Sequence, residues 1–222
     1  MSNKLFISVD SPMVNQIMNT DERIKSLITH IGDIEFPLRE NFYESLIRSI
    51  NGQLLSVKVA DIIHFRLVNL LGAQDVTPNS VAQLSNDALR EIGISERKVS
   101  YIRDLTDKIL REELILEELS QKEDQEVLDI LTSIKGIGEW TAEMFLLFSL
   151  GRKDVLALKD IGLQRGAKWL YQLESNQAGL EKLKEKSEHW KPYRTIPSIY
   201  LWEVVTRNYI HDYENISELT GT

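Results

Sequence analysis

Apolar residues recur at helical spacing along most of the chain. Phe42, Leu46, Ile47 and Ile50 form one such set, Val57, Ile62, Phe65 and Leu70 a second, and Val99, Ile102, Leu105 and Ile109 a third. These sets predict amphipathic helices, and the strict alternation a strand needs is scarce. Start and stop signals agree. Pro78 opens a short helix after Thr77, Ser85 caps the next with Asn86 and Asp87 behind it, and Gly93 ends it. Glu139 to Leu150 and Ile161 to Leu173 read as further helices, and Pro192 and Pro197 mark the start of a last one through Trp202 and Val205. Residues 1–38 are the least regular, with room for short strands such as Leu5 to Val9. No internal repeat or low-complexity linker interrupts the pattern. The expected architecture is all-α and two-lobed, with a helical domain over 39–222 and an N-terminal segment, 1–38, packing on it.

Composition narrows the chemistry. The 222 residues suffice for one or two domains with a core that folds without covalent staples. Cysteine is absent, which rules out disulfides, a cysteine nucleophile, thiolate metal sites and an iron–sulfur cluster, the last needing four thiolates. The histidines, His30, His64, His189 and His211, are scattered without ligand spacing, so no metal site built from side chains is expected. There is no phosphate-binding Walker motif and no dinucleotide fingerprint. The first residues, MSNKLFISVD, lack an apolar stretch of signal-peptide length, and no run approaches the roughly 18 apolar residues of a membrane helix. A cytoplasmic protein without membrane contact is the expectation.

Charge opposes a polyanionic partner at first sight, because the net value is −8. Its distribution changes the picture. Between Lys135 and Lys168, six bases face four acids, giving +2 and leaving −10 on the remaining residues. Much of the negative charge lies in Glu112, Glu113, Glu117, Glu118, Glu123, Asp124 and Glu126, which read as a solvated helix end and loop. A nucleic acid would then be gripped through backbone amides and few cations, with a shallow salt dependence.

The most informative stretch runs from Leu131 to Leu163. Gly136-Ile137-Gly138 separates an apolar segment ending at Ile134 from the helix that begins at Glu139, so the glycines turn the chain tightly onto a helix start whose free amides favour a phosphate. This places a hairpin at 131–143. Twenty residues after Trp140, Asp160 follows a turn at Gly151-Arg152-Lys153 and opens another helix. Taken alone, a Gly-x-Gly is common and an aspartate at that point is an ordinary N-cap.

Four blocks in order give these residues a context: INGQLLS (Ile50 to Ser56), GISERKVSYIRDL (Gly93 to Leu105), GIGEWTA (Gly136 to Ala142) and WKPYR (Trp190 to Arg194). Together with Asp160 at its distance from the hairpin, they resemble the helix-hairpin-helix DNA glycosylases, in particular the 3-methyladenine DNA glycosylase II family. The larger members of that family carry an N-terminal β domain, for which too few residues precede Phe42.

The resemblance implies the two-lobed glycosylase fold and a monofunctional enzyme that flips alkylated purines out of duplex DNA and releases them, leaving an abasic site. Asp160 would be the catalytic carboxylate, stabilising positive charge on the sugar and orienting or deprotonating water. Asp154, six residues earlier, would belong to the loop. Trp140 occupies the place where the superfamily's lyases carry a Schiff-base lysine, and Lys135 is a poor replacement for it. Trp140, Met144 and Trp202 would line the base pocket, with Met144 standing where an aromatic ring is usual, and a cationic base would favour the indole faces. Gln53 and Leu54 would form the wedge that fills the space left by the flipped nucleotide. Gly136, Ile137, Gly138 and Thr141 would contact phosphate, and backbone carbonyls of the hairpin would hold a monovalent cation. No other cofactor is implied, and the partner is damaged double-stranded DNA bound by a monomer. Two alternatives remain at this stage: a glycosylase for another lesion, or a damaged-DNA-binding module without catalysis, for which a carboxylate at Asp160 would be of no use.

Overall fold

A computed structural model describes residues 4–55, 57–72 and 74–221. In chain order the elements are β1 (Lys4–Ile7), α1 (Pro12–Met18), α2 (Glu22–Ile31), β2 (Ile34–Pro37), α3 (Phe42–Gly52), α4 (Val57–Leu71), α5 (Pro78–Ala82), α6 (Asn86–Glu91), α7 (Glu96–Leu110), a 3-10 turn (Leu116–Gln121), α8 (Asp124–Thr132), α9 (Glu139–Phe148), α10 (Ile161–Tyr171), α11 (Asn176–Ser187), α12 (Thr195–Thr206), α13 (Tyr209–Asp212) and α14 (Ile216–Thr220). Short polar side chains open many of them. Asn41, Thr77, Ser85, Ser95, Asp160 and Ser175 each accept a hydrogen bond from a backbone amide in the first turn of the helix that follows.

The chain divides into two compact units: the residues up to Leu38 together with those from Gly151 onward, and Arg39–Leu150. In the first unit β1 and β2 pair antiparallel, Lys4 opposite Pro37 and Ile7 opposite Ile34. The N-terminal segment is tied to the distant C-terminal helices by the Tyr200 hydroxyl donating to the Gly32 carbonyl at 2.9 Å and by the Arg23 guanidinium donating to the Leu170 carbonyl at 3.2 Å. Helix α10 packs against α11, α12 and α2 in this unit. Its neighbours come so close that a methyl on Gly166 would overlap the Leu201 carbonyl of α12, and one on Gly179 of α11 would overlap the Gln164 carbonyl of α10. The expected last helix ends at Thr206. Two short helices follow it, the first opened by Asn208 in the left-handed region (φ 64°) and the second capped by Asn215.

The second unit packs α3 against α9. Leu46, Ile47 and Ile50 are fully buried, and the rings of Phe42 and Phe145 meet edge to face at 5.3 Å. Two buried hydroxyl pairs, Tyr43 with Thr106 and Ser45 with Ser149, each lie at 2.7 Å. Helix α4 corrects the sequence expectation. Its core face is Ile63, Leu67 and Leu71, whereas Ile62, Phe65 and Leu70 are exposed. Helical spacing identified the element but not its buried side, because α4 is apolar around much of its circumference and tertiary contacts choose between two competing stripes. Those contacts include an ion pair to α3 from Asp61 to Arg48 and a 2.9 Å contact from the His64 imidazole to the Glu44 carboxylate. Ser56, the last residue of the INGQLLS block, lies outside the described residues, as does the side chain of Val57.

Candidate active site

Asp160 is both an N-cap and something more. Its Oδ1 accepts the Leu163 amide at 2.8 Å, as a cap does, and also the Trp202 indole N–H at 2.8 Å. The carboxylate is therefore oriented by one donor from its own helix and one from α12. Gly162 makes that approach feasible, since a methyl there would sit 2.9 Å from Oδ1 and 3.2 Å from the Trp202 ring. The turn that delivers Asp160 is itself braced: its amide donates to Ala157 O at 2.9 Å, and the Gln164 side chain reaches back to Leu158 O at 2.9 Å.

Asp154 has a different fate. The Arg194 guanidinium binds its two carboxylate oxygens at 2.7 and 3.0 Å, and the Arg194 amide adds a bond at 3.2 Å. Burial pulls this carboxyl upward, but the hydrogen bonds and charge of Arg194 outweigh it and hold the group below the usual carboxylate range. Next to it, Thr195 donates to Arg152 O at 2.7 Å and accepts from the Val155 amide at 3.0 Å. Arg194 and Thr195 thus fasten the loop that leads to Asp160, and Trp190 of the same signature is wholly buried. The WKPYR block is a clamp in this structure.

The loops of the second unit are built on backbone. Between α8 and α9, Gly136 takes φ +81°, and a methyl on it would overlap the ring of Tyr101, so only glycine suits the position on both counts. Gly138 precedes α9 with no side-chain cap, is exposed, and has nothing within 4 Å of where a methyl would project. The start of α9 therefore carries no side-chain cap on its first turn. Between α3 and α4, Leu54 is 93% exposed and takes φ +60°, a left-handed conformation uncommon for a side chain of its kind. The Gln53 amide donates to Gly136 O at 2.8 Å and to the Thr141 hydroxyl at 3.4 Å, joining this loop to the hairpin. From α7, the Lys98 ammonium donates to the carbonyls of Asn51 at 2.7 Å and Gln53 at 2.9 Å, and the Asp104 carboxylate accepts the Lys135 amide at 3.0 Å.

The expected site residues therefore fall into two groups. Asp160 and Trp202 touch in the first unit; Gln53, Leu54, Gly136, Ile137, Gly138, Trp140, Thr141 and Met144 lie in the second. Trp140 is half-buried in the first turn of α9, while Met144, Ile137 and Thr141 are buried. Ile137 offers its side chain to the core, leaving only its backbone for contact outside, and Thr141 turns its hydroxyl to Gln53. Gly162, Arg194 and Lys98 escaped the sequence reading as individuals. The last two stood inside quoted blocks, and no local signal set them apart from their charged and polar neighbours. Among the described residues no cluster of three or more histidines and acids could hold a metal, and no helix is long and apolar enough to cross a membrane.

A family model described as HhH-GPD superfamily base excision DNA repair protein matches residues 47–192. The chain is 32% identical over 189 residues to DNA-3-methyladenine glycosylase 1 of Schizosaccharomyces pombe, covering 82% of each chain. A crystal structure of DNA-3-methyladenine glycosidase from Bacillus halodurans superposes with a TM-score of 0.85 and 40% identity, over 98% of this chain and all of that one. The Schizosaccharomyces pombe 3-methyladenine DNA glycosylase in complex with abasic DNA superposes with a TM-score of 0.78 and 27% identity, over 91% and 99% of the two chains.

Proposed function

Because the chain belongs to the HhH-GPD superfamily of base excision DNA repair proteins, we propose that it is a monofunctional DNA glycosylase releasing alkylated purines from duplex DNA. The observation that carries this reading is the orientation of Asp160 by the Leu163 amide and the Trp202 indole. As the bond between the purine nitrogen and the sugar C1′ breaks, its electron pair leaves with the base, and positive charge grows on the sugar. A fixed carboxylate lowers that barrier, and water then adds its oxygen to C1′ as its proton passes to the Asp160 carboxylate and from there to solvent. An alkylated purine is already cationic and departs neutral, so one acid suffices where protonation of the leaving group would otherwise be needed.

Trp140, at the position that would carry an amine in a lyase, has no group able to form a Schiff base, so the abasic strand stays intact. Leu54 is the wedge, Gly136 to Gly138 contact the backbone phosphates, and the protein acts as a monomer. The hairpin is also suited to a monovalent cation. Ile134 O already accepts the Ile137 amide and Gly136 O accepts Gln53, but each carbonyl keeps a second lone pair.

Incubation with methylated duplex DNA, followed by identification of the free bases, tests this reading. Free methylated purines, alkali-labile sites in the strand and no borohydride-trapped adduct are expected. A trapped adduct, or no released base, would overturn it.

A further inference from the structure

The GISERKVSYIRDL block has no place in the chemistry above, yet one face of the helix it builds meets both loops of the second unit. Lys98, Tyr101 and Asp104 follow one another at intervals of three on α7 and so share a side. Lys98 holds the loop after α3, Tyr101 fills the space that Gly136 leaves, and Asp104 holds the hairpin at Lys135. Lys98 is the unusual member. Lysine is almost never buried without compensation, yet this one is 9% exposed, with its ammonium set on the last carbonyls of α3, where a cation suits the helix end.

The two carbonyls it binds, those of Asn51 and Gln53, come just before Leu54, whose left-handed backbone and exposed side chain are not a resting state for a leucine. We propose that Lys98 is a positioning residue for base extrusion, its buried ammonium locking the loop in the form that presents Leu54. The Gln53 link to Gly136 passes the same constraint to the hairpin, so α7 fixes the spacing between wedge and phosphate contact. This rests on the reading of Leu54 as the wedge.

A double-mutant cycle separates the two ideas. Single-turnover release of methylated purines is measured from duplex and from single-stranded DNA for wild type, Leu54→Ala, Lys98→Met and the double variant, with the duplex-to-single-strand ratio as readout. Leu54→Ala should lower the ratio about tenfold, Lys98→Met at least about fivefold, and the double variant no further than Leu54→Ala, because the ammonium acts through the leucine. A general loss of packing would instead multiply the two effects, and that result overturns the proposal. An unchanged ratio in Lys98→Met beside a lowered one in Leu54→Ala overturns it while leaving the wedge standing. An unchanged ratio in Leu54→Ala removes the wedge and the proposal with it. Should Lys98→Met not fold, Lys98→Leu, which likewise removes every donor, replaces it in the cycle, and the same ratios support or overturn the proposal.

Discussion

The unit that carries Asp160 and the unit of Arg39–Leu150 use side chains in opposite ways. On the proposed reading a charged group is the working part around Asp160, and neighbouring groups fix its direction: the Leu163 amide, the Trp202 indole and the room left by Gly162. In the second unit the same reading gives the work to backbone amides at the hairpin and one apolar side chain, while polar groups such as Gln53, Lys98 and Asp104 hold these loops in place. The contrast follows from what the proposal has each one face. Charge developing on a sugar calls for an anion at one point, whereas a phosphate backbone and a gap in a base stack call for amides and a hydrocarbon wedge. It also accounts for an acidic protein acting on DNA, since few of these contacts depend on cationic side chains.

The comparison makes separable demands on mutants. The largest effect is expected from Asp160→Asn, which can keep the helix cap and the indole bond but loses the charge. Base release under single turnover should fall at least about a hundredfold, with duplex affinity close to wild type in a titration. Equal losses in both would mean that Asp160 serves binding instead. Next comes Gly136→Ala, which puts a methyl into Tyr101 and strains a left-handed backbone. It should cost about 2 kcal/mol or more in unfolding free energy and weaken duplex binding, while bound DNA is still processed. The smallest is Trp202→Phe, which retains a ring and removes the donor to Asp160. About a tenfold drop in the rate of the chemical step, with unchanged affinity, would match the value of one hydrogen bond to a charged group. If affinity for the lesion falls and the rate does not, Trp202 serves base stacking alone.

Much of this was legible in the sequence where the signal is local. Thr77, Ser85 and Asp160 announce helix starts through their own side chains, and Gly136 announces a turn through its lack of one. What could not be read is how distant segments meet. The buried stripe of α4 depends on the surfaces that neighbour it, and no pattern in residues 1–38 says that Gly32 will receive a hydrogen bond from Tyr200. The same applies to the site. Asp160 and Trp202 were each visible as candidates, but their bond joins positions 42 residues apart, and it makes the indole a donor to the acid before it is anything to a base. Asp154 and Asp160 look alike on paper; Arg194, forty residues away, tells them apart by occupying one of them.

The contacts at Gly166 and Gly179 bear on how the acid moves. Where helices meet backbone to backbone, no layer of flexible side chains lies between them to absorb small displacements, and a shift of α10 must carry α11 and α12 with it. Asp160, the N-cap of α10, is therefore carried by a stack of three closely packed helices. On the proposed reading, the substrate meets an acid whose direction its protein neighbours already set.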